Sequence, residues 1–483
     1  MIKEAVNILE RKWDQISGAP YDGEQIGKPE REYIHDYTKT LLMKIFVSEP
    51  SATAGISNVS MNFEQILQLI KELDELTRQI PKILYLVGWQ YNGHDDKYPA
   101  FFEVNPLLKR ACDRDARESL IWLMEEAFQY HTTVSLHINM TDAYEDSPLW
   151  ETYTSNDLIA KKDNGELFNI GEWGHFIKKT AYQVNYSKEW ESGYAKKRID
   201  RLLDYLPIKR AGTIHCDAFF ARASLDTSLD SEKEAKRKII RYFRDCGVDL
   251  TTEFLHGTNG DRAETYTDGN DSGVLGLIPC IWHFNQSQED YMKRPASLIT
   301  GAGINKDLLY GDDEGIDFLF GKSMYGEDTF FNQKDRYGLN PDWEREFKKQ
   351  FCQQTLLWAY QNQVARKELK GQGDQRILYY EDGLVADLNR KLIQHKEVIL
   401  REDNDVFVPV IWKNKQEIIA YSLHGYTDKL WHLPSEFNLA NEVLISDISS
   451  NGLVKRRSQR IINHCVQLSL EPEQMIVIQP VIH

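Results

Sequence analysis

The chain has 483 residues, of which 41% are hydrophobic and 27% are charged, and its formal net charge at pH 7 is −16. This length exceeds the usual limit of a single hydrophobic core, so we expect one large domain and a smaller one. The negative charge argues against a nucleic-acid backbone or an anionic membrane surface as a partner.

The N-terminus and the cysteines favour a protein of the cytoplasm. The first residues, MIKEAVNILERKW, carry charges throughout and contain no continuous apolar segment of the kind found in secretory signal peptides. No stretch approaches the length needed to cross a membrane. The six cysteines are scattered without a Cys-x-x-Cys pair, which favours reduced thiols over disulfides or a zinc site. We therefore expect a cytoplasmic protein without a metal or another cofactor.

Strand and helix patterns alternate from about residue 40 to residue 300. The predicted strands cover residues 40–47, 82–90, 132–140, 212–220, 247–255 and 274–282, with a further one at 315–320. The predicted helices cover residues 62–78, 113–130, 190–206 and 230–244. The strands are almost continuously apolar, which is typical of a parallel sheet that is covered by helices.

Two architectures fit this alternation: an open, doubly wound sheet and a (β/α)8 barrel. No Gly-x-Gly-x-x-Gly or Gly-x4-Gly-Lys-Ser/Thr motif follows the first strand, which argues against the nucleotide-binding forms of the open sheet. Polar residues cluster instead at the C-terminal ends of at least four successive strands. A barrel collects such residues around one pocket, so we predict an α/β fold with a TIM-type (β/α)8 barrel.

The pattern changes after residue 370. A long helix over residues 341–363 ends the alternation, and short alternating runs with turn residues follow. Such runs are typical of an all-β domain. We predict a catalytic barrel with an N-terminal helical lead-in over residues 1–370 and a C-terminal β-sandwich domain over residues 371–483.

Two acidic residues, Asp217 and Glu253, each end a strand-like run, and one predicted helix separates the two runs. The strands of such a unit lie parallel and adjacent, so both carboxylates should lie at the same end of the sheet. Two carboxylates in that position suit a retaining glycosidase, one as nucleophile and one as acid/base. The alternative is a pair of acids that merely close strand ends, since structural carboxylates are common.

Further polar side chains follow the preceding strands. Gly93 allows an unusual backbone angle, which would let His94 and Asp95 project over the rim of the barrel. His137 and Asn139 end the next strand and point to one face, because side chains alternate along a strand. Side chains of these types form hydrogen bonds with the hydroxyl and acetamido groups of sugars.

The ordered set of these motifs resembles the catalytic barrel of the endo-α-N-acetylgalactosaminidase family of glycoside hydrolases. The set comprises Gly88-Trp-Gln-Tyr-Asn-Gly-His-Asp95 with Tyr98-Pro99, His137-Ile-Asn139 with Asp142-Ala-Tyr144, His215-Cys-Asp-Ala-Phe219, and Thr252-Glu253. A related group of smaller intracellular α-N-acetylgalactosaminidases is similar as well. The resemblance implies a retaining hydrolase of α-linked N-acetylgalactosamine glycosides, with or without a β-linked galactose, that forms a covalent glycosyl-enzyme intermediate.

The resemblance also implies roles for individual residues. By motif position, Asp217 is the nucleophile and Glu253 is the acid/base. Four residues would hold the sugar in its innermost subsite: His94, Asp95, His137 and Asn139. Trp173 lies where the family places tryptophans over the sugar, while a cap on the edge of the core is its alternative role.

Other functions fit fewer of these features. Another α-hexoside is an alternative substrate for the same barrel. A non-catalytic carbohydrate-binding protein or a transferase on a degenerate barrel would not need both acids, and both are present. A metal-dependent hydrolase could use His94, Asp95, His137 and Asp217, but such enzymes often carry His-x-His on their first strand, and this sequence has none there. The predicted partner is therefore an oligosaccharide or small glycoside substrate.

Overall fold

The computed structural model describes most of the chain between residues 34 and 481. The described ranges are 34–36, 39–53, 55–219, 221–252, 257–258, 264–265, 278–279, 315–321, 324–326, 329–331, 338–361, 363–364 and 366–481.

Within these ranges, a parallel sheet forms the centre of the molecule. Its main strands are β1 (Leu41–Phe46), β2 (Lys82–Val87), β3 (Thr132–Asn139), β4 (Thr213–Asp217) and β5 (Asp249–Thr252). Each of them pairs in parallel with the next one along the chain. A sheet that follows chain order winds in one direction, whereas a doubly wound sheet reverses its order. The predicted parallel sheet is confirmed, and the doubly wound alternative does not fit the strand order.

Two short strands lie at the edges of this sheet. β6 (Ile278–Pro279) is the described part of the strand predicted at 274–282, and it pairs with β5 in the antiparallel rather than the parallel direction. β7 (Met324–Tyr325) pairs with β1 in parallel.

Helices cover the sheet. They are α1 (Phe63–Leu76), α2 (Ala116–Glu126), α3 (Trp150–Ser155), α4 (Tyr186–Glu191), α5 (Tyr194–Tyr205), α6 (Ile208–Ala211) and α7 (Leu229–Asp245). The start of α1 is fixed by a capping box, because the side chains of Asn62 and Gln65 each accept a hydrogen bond from the other residue's backbone N–H. The predicted helix 190–206 is divided between α4 and α5 at Gly193, which has a φ of 78°. Single-turn 3₁₀ helices add Pro106–Leu108 and Ala127–Tyr130.

The amino-terminal end of the parallel sheet carries a buried ion pair. The Lys82 Nζ donates to Asp74 Oδ1 over 2.6 Å, and His131 Nδ1 lies 3.2 Å from both oxygens of the same carboxylate. Burial lowers the pKa of Lys82 to about 8, although Asp74 opposes this shift. Asp74 is therefore a carboxylate held between two nitrogen groups beneath the sheet.

Small antiparallel sheets form in the loops that follow the carboxyl-terminal ends of the parallel strands. Ser48–Pro50 pairs with Ser57–Val59, and Gly257–Thr258 pairs with Glu264–Thr265. A three-stranded sheet, which the sequence did not predict, contains Asp142–Ala143, Lys179–Gln183 and Asn169–Trp173 in that order.

The segment predicted as a strand at 315–320 is a helix, α8 (Ile316–Phe320), so that prediction was wrong. The short apolar run fits either structure by itself, and packing decides. Gly321 follows with a φ of 70°, and its Cα lies so close to the Gln354 carbonyl that a side chain would collide with it. The Leu319 carbonyl accepts hydrogen bonds from Gln361 Nε2 and Tyr380 Oη. These contacts hold one helical turn against the helices that follow.

The long helix predicted over 341–363 is present in three parts. They are α9 (Trp343–Gln350), a π-helical turn (Phe351–Thr355) and α10 (Leu356–Gln361).

The chain ends in an antiparallel sheet, as predicted. Among the described residues this sheet has ten strands, which are, in spatial order, Arg366–Lys370, Ile377–Tyr380, Leu384–Asp387, Leu392–His395, Val398–Glu402, Asp405–Pro409, Ile418–Ser422, Met475–Val481, Glu442–Ser449 and Gly452–Arg460. Tyr426–His432 and Cys465–Leu470 form a separate pair. Short 3₁₀ turns occupy Gly373–Gln375, Glu381–Gly383, Ile411–Lys413 and Ser435–Phe437.

The antiparallel sheet shares its packing with the parallel one. Arg78, which follows α1, forms a buried bidentate ion pair with Glu417, with N–O distances of 2.9 and 2.8 Å. Trp412 Nε1 donates to the Arg78 carbonyl over 2.8 Å. One continuous cluster of buried apolar residues runs from β1 to the strands around Val477. None of the described helices combines the length and the apolar character that a membrane crossing requires.

Candidate active site

The loop after β2 rests directly on the end of β1. Gly88 and Gly93 have φ values of 80° and 121°, and a Cβ at either position would collide with the Ser48 carbonyl oxygen. The N–H of His94 donates to that same carbonyl over 2.8 Å. The unusual backbone angle predicted for Gly93 is therefore observed, and it brings His94 to the carboxyl-terminal end of the sheet.

Three histidine rings lie in a row at this end. The ring centroids of His94 and His137 are 5.4 Å apart, and those of His137 and His215 are 5.3 Å apart. Phe46, the last residue of β1, contacts the outer face of the row at His94. His215 Nδ1 lies 2.9 Å from Thr251 Oγ1 on β5, so the row connects four neighbouring strands or their loops. The histidine rings are thus fixed by their neighbours.

Asp217 is the last residue of β4 and lies beside this row. Its Oδ2 is 3.2 Å from His137 Nε2, and its side chain is 17% exposed. The next residue, Ala218, has a φ of 43°, which costs an L-residue about 1 kcal/mol or more. The Ala218 carbonyl accepts a hydrogen bond from Thr141 Oγ1 over 2.5 Å. The turn after Asp217 is therefore strained and held by a specific contact.

Asp95 and Asn139 occupy different surroundings near the row. Asp95 Oδ2 lies 3.5 Å from His94 Nε2, and the N–H of Asp95 donates to Tyr98 Oη over 3.4 Å. Asn139 Oδ1 instead accepts hydrogen bonds from the N–H groups of Thr141 and Asp142, over 2.7 and 2.9 Å. Asn139 therefore has a clear structural role in the turn after β3, and its contact with a sugar stays a prediction.

Asp142 is a buried carboxyl group whose titration the sequence did not predict. Burial, and then the charge of Asp95, raise its pKa to about 7, against the opposing effects of Arg222 and Asn139. Burial also raises the pKa values of the neighbouring Tyr144 and Tyr98 phenols well above their usual range. The signal available in the sequence was the Asp142-Ala-Tyr144 motif, but burial comes only from the fold.

Trp173 ends a strand of the three-stranded sheet, and its side chain is 43% exposed. The ring covers Gly171, where a Cβ would lie 2.6 Å from Cζ2 of the indole. Its register partner, Lys179, donates to Asp146 over 2.8 Å and also to Asp96, the residue after Asp95. The hairpin is therefore tied to the loop that carries His94. The exposure leaves ring area for a ligand.

Glu253, the second predicted catalytic acid, lies outside the described residues. It directly follows Thr252 in the chain, and Thr252 is the register partner of Cys216, the residue before Asp217.

Comparison with known proteins identifies the segment that carries these residues. Residues 51–273 match the model of the endo-α-N-acetylgalactosaminidase family, and this segment includes β2 to β5 and every candidate site residue. This segment is therefore similar to that family of glycoside hydrolases. The resemblance that the motifs predicted is confirmed over these residues.

Solved structures agree on the fold. Two structures of the α-N-acetylgalactosaminidase NagBb from Bifidobacterium bifidum, a quadruple mutant and the ligand-free protein, have TM-scores of 0.51 and 0.50 with 10% sequence identity. Each match covers 81% of this chain and 62% of the NagBb chain, so the present chain spans 62% of the length of these relatives. At this identity the likeness shows the fold alone. No curated protein matches the sequence.

The arrangement of these side chains suits acid–base or nucleophilic chemistry. A partly exposed carboxylate, that of Asp217, lies at the carboxyl-terminal end of a parallel strand next to the buried imidazole of His137. A second carboxylate, that of Asp95, lies beside the neighbouring His94. The sequence indicated these residues at successive strand ends, but the arrangement of His94, His137 and His215 in a row depends on the pairing of the strands and is seen only in the fold.

Proposed function

We propose that this protein is a retaining glycoside hydrolase that cleaves α-linked N-acetylgalactosamine glycosides, with or without a β-linked galactose. The observation that carries the proposal is the position of Asp217, at the end of β4 and 3.2 Å from His137, inside the segment that matches the family. A carboxylate at the carboxyl-terminal end of a barrel strand is the usual place for a catalytic group.

Asp217 is proposed as the nucleophile that attacks the anomeric carbon. The nucleophile has to stay ionised and accessible, and Asp217 is partly exposed with the imidazole nitrogen of His137 3.2 Å away. Glu253 is proposed as the acid that protonates the departing oxygen and then as the base that activates water. In support, the chain places it one residue after Thr252, which pairs with Cys216.

His94, Asp95, His137 and Asn139 are proposed to hold the sugar, and Trp173 is proposed to cover its apolar face. Imidazole and carboxylate groups match hydroxyl and acetamido groups as donors and acceptors. Asp142 adds a carboxyl group that changes between proton donor and acceptor near pH 7.

The proposal includes closure of the parallel sheet into a (β/α)8 barrel, followed by a β-sandwich from about residue 371. Two observations support closure. The strands wind in one direction, and β7, which comes late in the chain, pairs in parallel with β1. The last strand of a closed barrel pairs with the first in this manner.

A panel of chromogenic α- and β-glycosides tests the substrate. The expected result is hydrolysis of α-N-acetylgalactosaminides, or of their β-galactosyl derivatives, by the wild type and none by Asp217→Asn. An NMR time course should show the α-anomer as the first product, because two inversions give retention. Hydrolysis of a different α-hexoside would replace the substrate, and sugar binding without any turnover would indicate a carbohydrate-binding barrel.

A further inference from the structure

The row of side chains at the proposed active site also has the composition of a transition-metal site. One nitrogen each of His94 and His137 and one oxygen of Asp217 lie within 4.8 Å of one another. Two imidazoles and one carboxylate form a ligand set that zinc accepts, leaving a fourth position open. The three ligands come from three separate segments of the chain, so the fold alone brings them together.

The distances are close to those that a bound ion would require. Ligand atoms that lie about 2.0–2.1 Å from a tetrahedral zinc ion are roughly 3.4 Å from one another. His137 Nε2 and Asp217 Oδ2 already lie 3.2 Å apart. The ligand nitrogen of His94 would have to approach the ligand atoms of His137 and Asp217 by about 1.4 Å at most. Small side-chain rotations of His94 and Asp217 can supply this movement.

The surroundings favour such a site in two further respects. His137 is buried between two other rings, so little side-chain entropy is lost on binding. His94 and Asp217 are 18% and 17% exposed, so an ion can reach them from solvent.

We propose that this cluster of His94, His137 and Asp217 binds one Zn²⁺ ion, and that the ion inhibits the protein. The inhibition rests on the proposed function, because the ion would occupy the carboxylate oxygens with which Asp217 attacks the sugar. Zinc and substrate then exclude each other. Binding of the ion does not rest on that function and is measured separately.

Isothermal titration with Zn²⁺ on the full chain, purified with a chelator and then freed of it, tests the site. The wild type should bind one ion tightly, with a Kd of roughly micromolar or below. His94→Gln and Asp217→Asn should each weaken this binding at least about tenfold, since both keep the size of the side chain and remove a good ligand. Circular dichroism checks that each variant is folded.

The matched control is His131→Gln. His131 also lies 3.2 Å from a carboxylate, that of Asp74, but at the opposite end of the sheet. This variant should bind Zn²⁺ like the wild type. Equal binding by the wild type, His94→Gln and Asp217→Asn would overturn the site, and so would the absence of any tight ion in the wild type.

Inhibition is tested with the best chromogenic substrate of the wild type. Zn²⁺ should raise the apparent KM without changing kcat, and a chelator should reverse the effect. Stimulation by Zn²⁺ would overturn inhibition and indicate a metal-dependent hydrolase instead. A protein that binds the ion at these residues but hydrolyses no glycoside would refute the proposed function and leave the metal site standing.

Discussion

The two ends of the parallel sheet carry the same pair of residue types in opposite arrangements. At each end a histidine nitrogen lies 3.2 Å from an aspartate oxygen. At the amino-terminal end the aspartate, Asp74, is buried and paired with Lys82, while the side chain of His131 is 48% exposed. At the carboxyl-terminal end the histidine, His137, is buried, while Asp217 is partly exposed.

The two pairs contain the same residue types and differ in which partner is buried, so burial is the feature that would separate a structural pair from the proposed catalytic one. Asp74 is buried and paired with the buried ammonium group of Lys82, so we expect it to stabilise the fold. Asp217 lies beside an imidazole and is 17% exposed, which is compatible with the nucleophile role proposed for it.

The largest effect on activity is expected from a substitution of Asp217, and not of Asp74. Asp217→Asn should lower kcat by about 10⁴-fold or more on every substrate, because no glycosyl-enzyme bond can form. The free energy of unfolding should change little, since the amide keeps the shape of the side chain. Steady-state kinetics and urea denaturation measure both. Appreciable turnover by the purified variant would show that another group is the nucleophile.

The next largest effect is expected at Glu253, the proposed acid/base partner of Asp217. Glu253→Gln should slow poor leaving groups by about 10²–10⁴-fold, and activated phenols far less in the first step, because these need little protonation. Azide should rescue Glu253→Ala and give a glycosyl azide of retained configuration, since azide attacks the intermediate without base assistance. A uniform loss on all leaving groups, without rescue, would contradict the acid/base role.

The amino-terminal pair should respond in the opposite way. Asp74→Asn leaves Lys82 buried without its charge partner, so the free energy of unfolding should fall by about 3–5 kcal/mol. The kcat of the protein that remains folded should stay within about twofold of the wild type. Urea denaturation and kinetics at low temperature measure the two effects. Loss of kcat without loss of stability would show that the two ends do not differ as described.

Asp142 adds a pH dependence at the carboxyl-terminal end. Its folded pKa of about 7 lies above the ordinary value of 3.8, so the folded state binds the extra proton between these values. The stability that this proton provides is complete below about pH 4 and is lost as the pH rises through 7, with an upper limit of roughly 4 kcal/mol. Asp142→Asn, which resembles the protonated form, should not show this loss. Urea denaturation from pH 4 to pH 8 compares the two proteins, and parallel curves would refute the shift.

Trp173 should give the smallest effect. Trp173→Ala should cost on the order of 1–3 kcal/mol in kcat/KM if the ring packs on the sugar. Phe176→Ala is the matched control, because Phe176 is a similarly exposed ring in the same hairpin turn. Equal kinetics for Trp173→Ala and the wild type would leave the ring with a structural role only.

The sequence predicted the parallel sheet and its strand ends well because those strands are buried on both faces and therefore continuously apolar. It also predicted Asp217 at the end of β4 and His137 and Asn139 at the end of β3. It failed where tertiary packing decides between structures that the local pattern allows equally, as at Ile316–Phe320. The turn contacts of Asn139 and the raised pKa of Asp142 depend on neighbours distant in sequence, so no local pattern signals them.

The buried pair of Arg78 and Glu417 bears on how this protein can be engineered. The guanidinium group of Arg78, which follows α1, pairs with the carboxylate of Glu417 in the C-terminal antiparallel sheet. A truncation before Glu417 would leave that cation in an apolar surface without a counter-charge. Chimaeras should therefore keep both sheets from one parent, and the C-terminal sheet is better regarded as a second half of the scaffold than as an appendage.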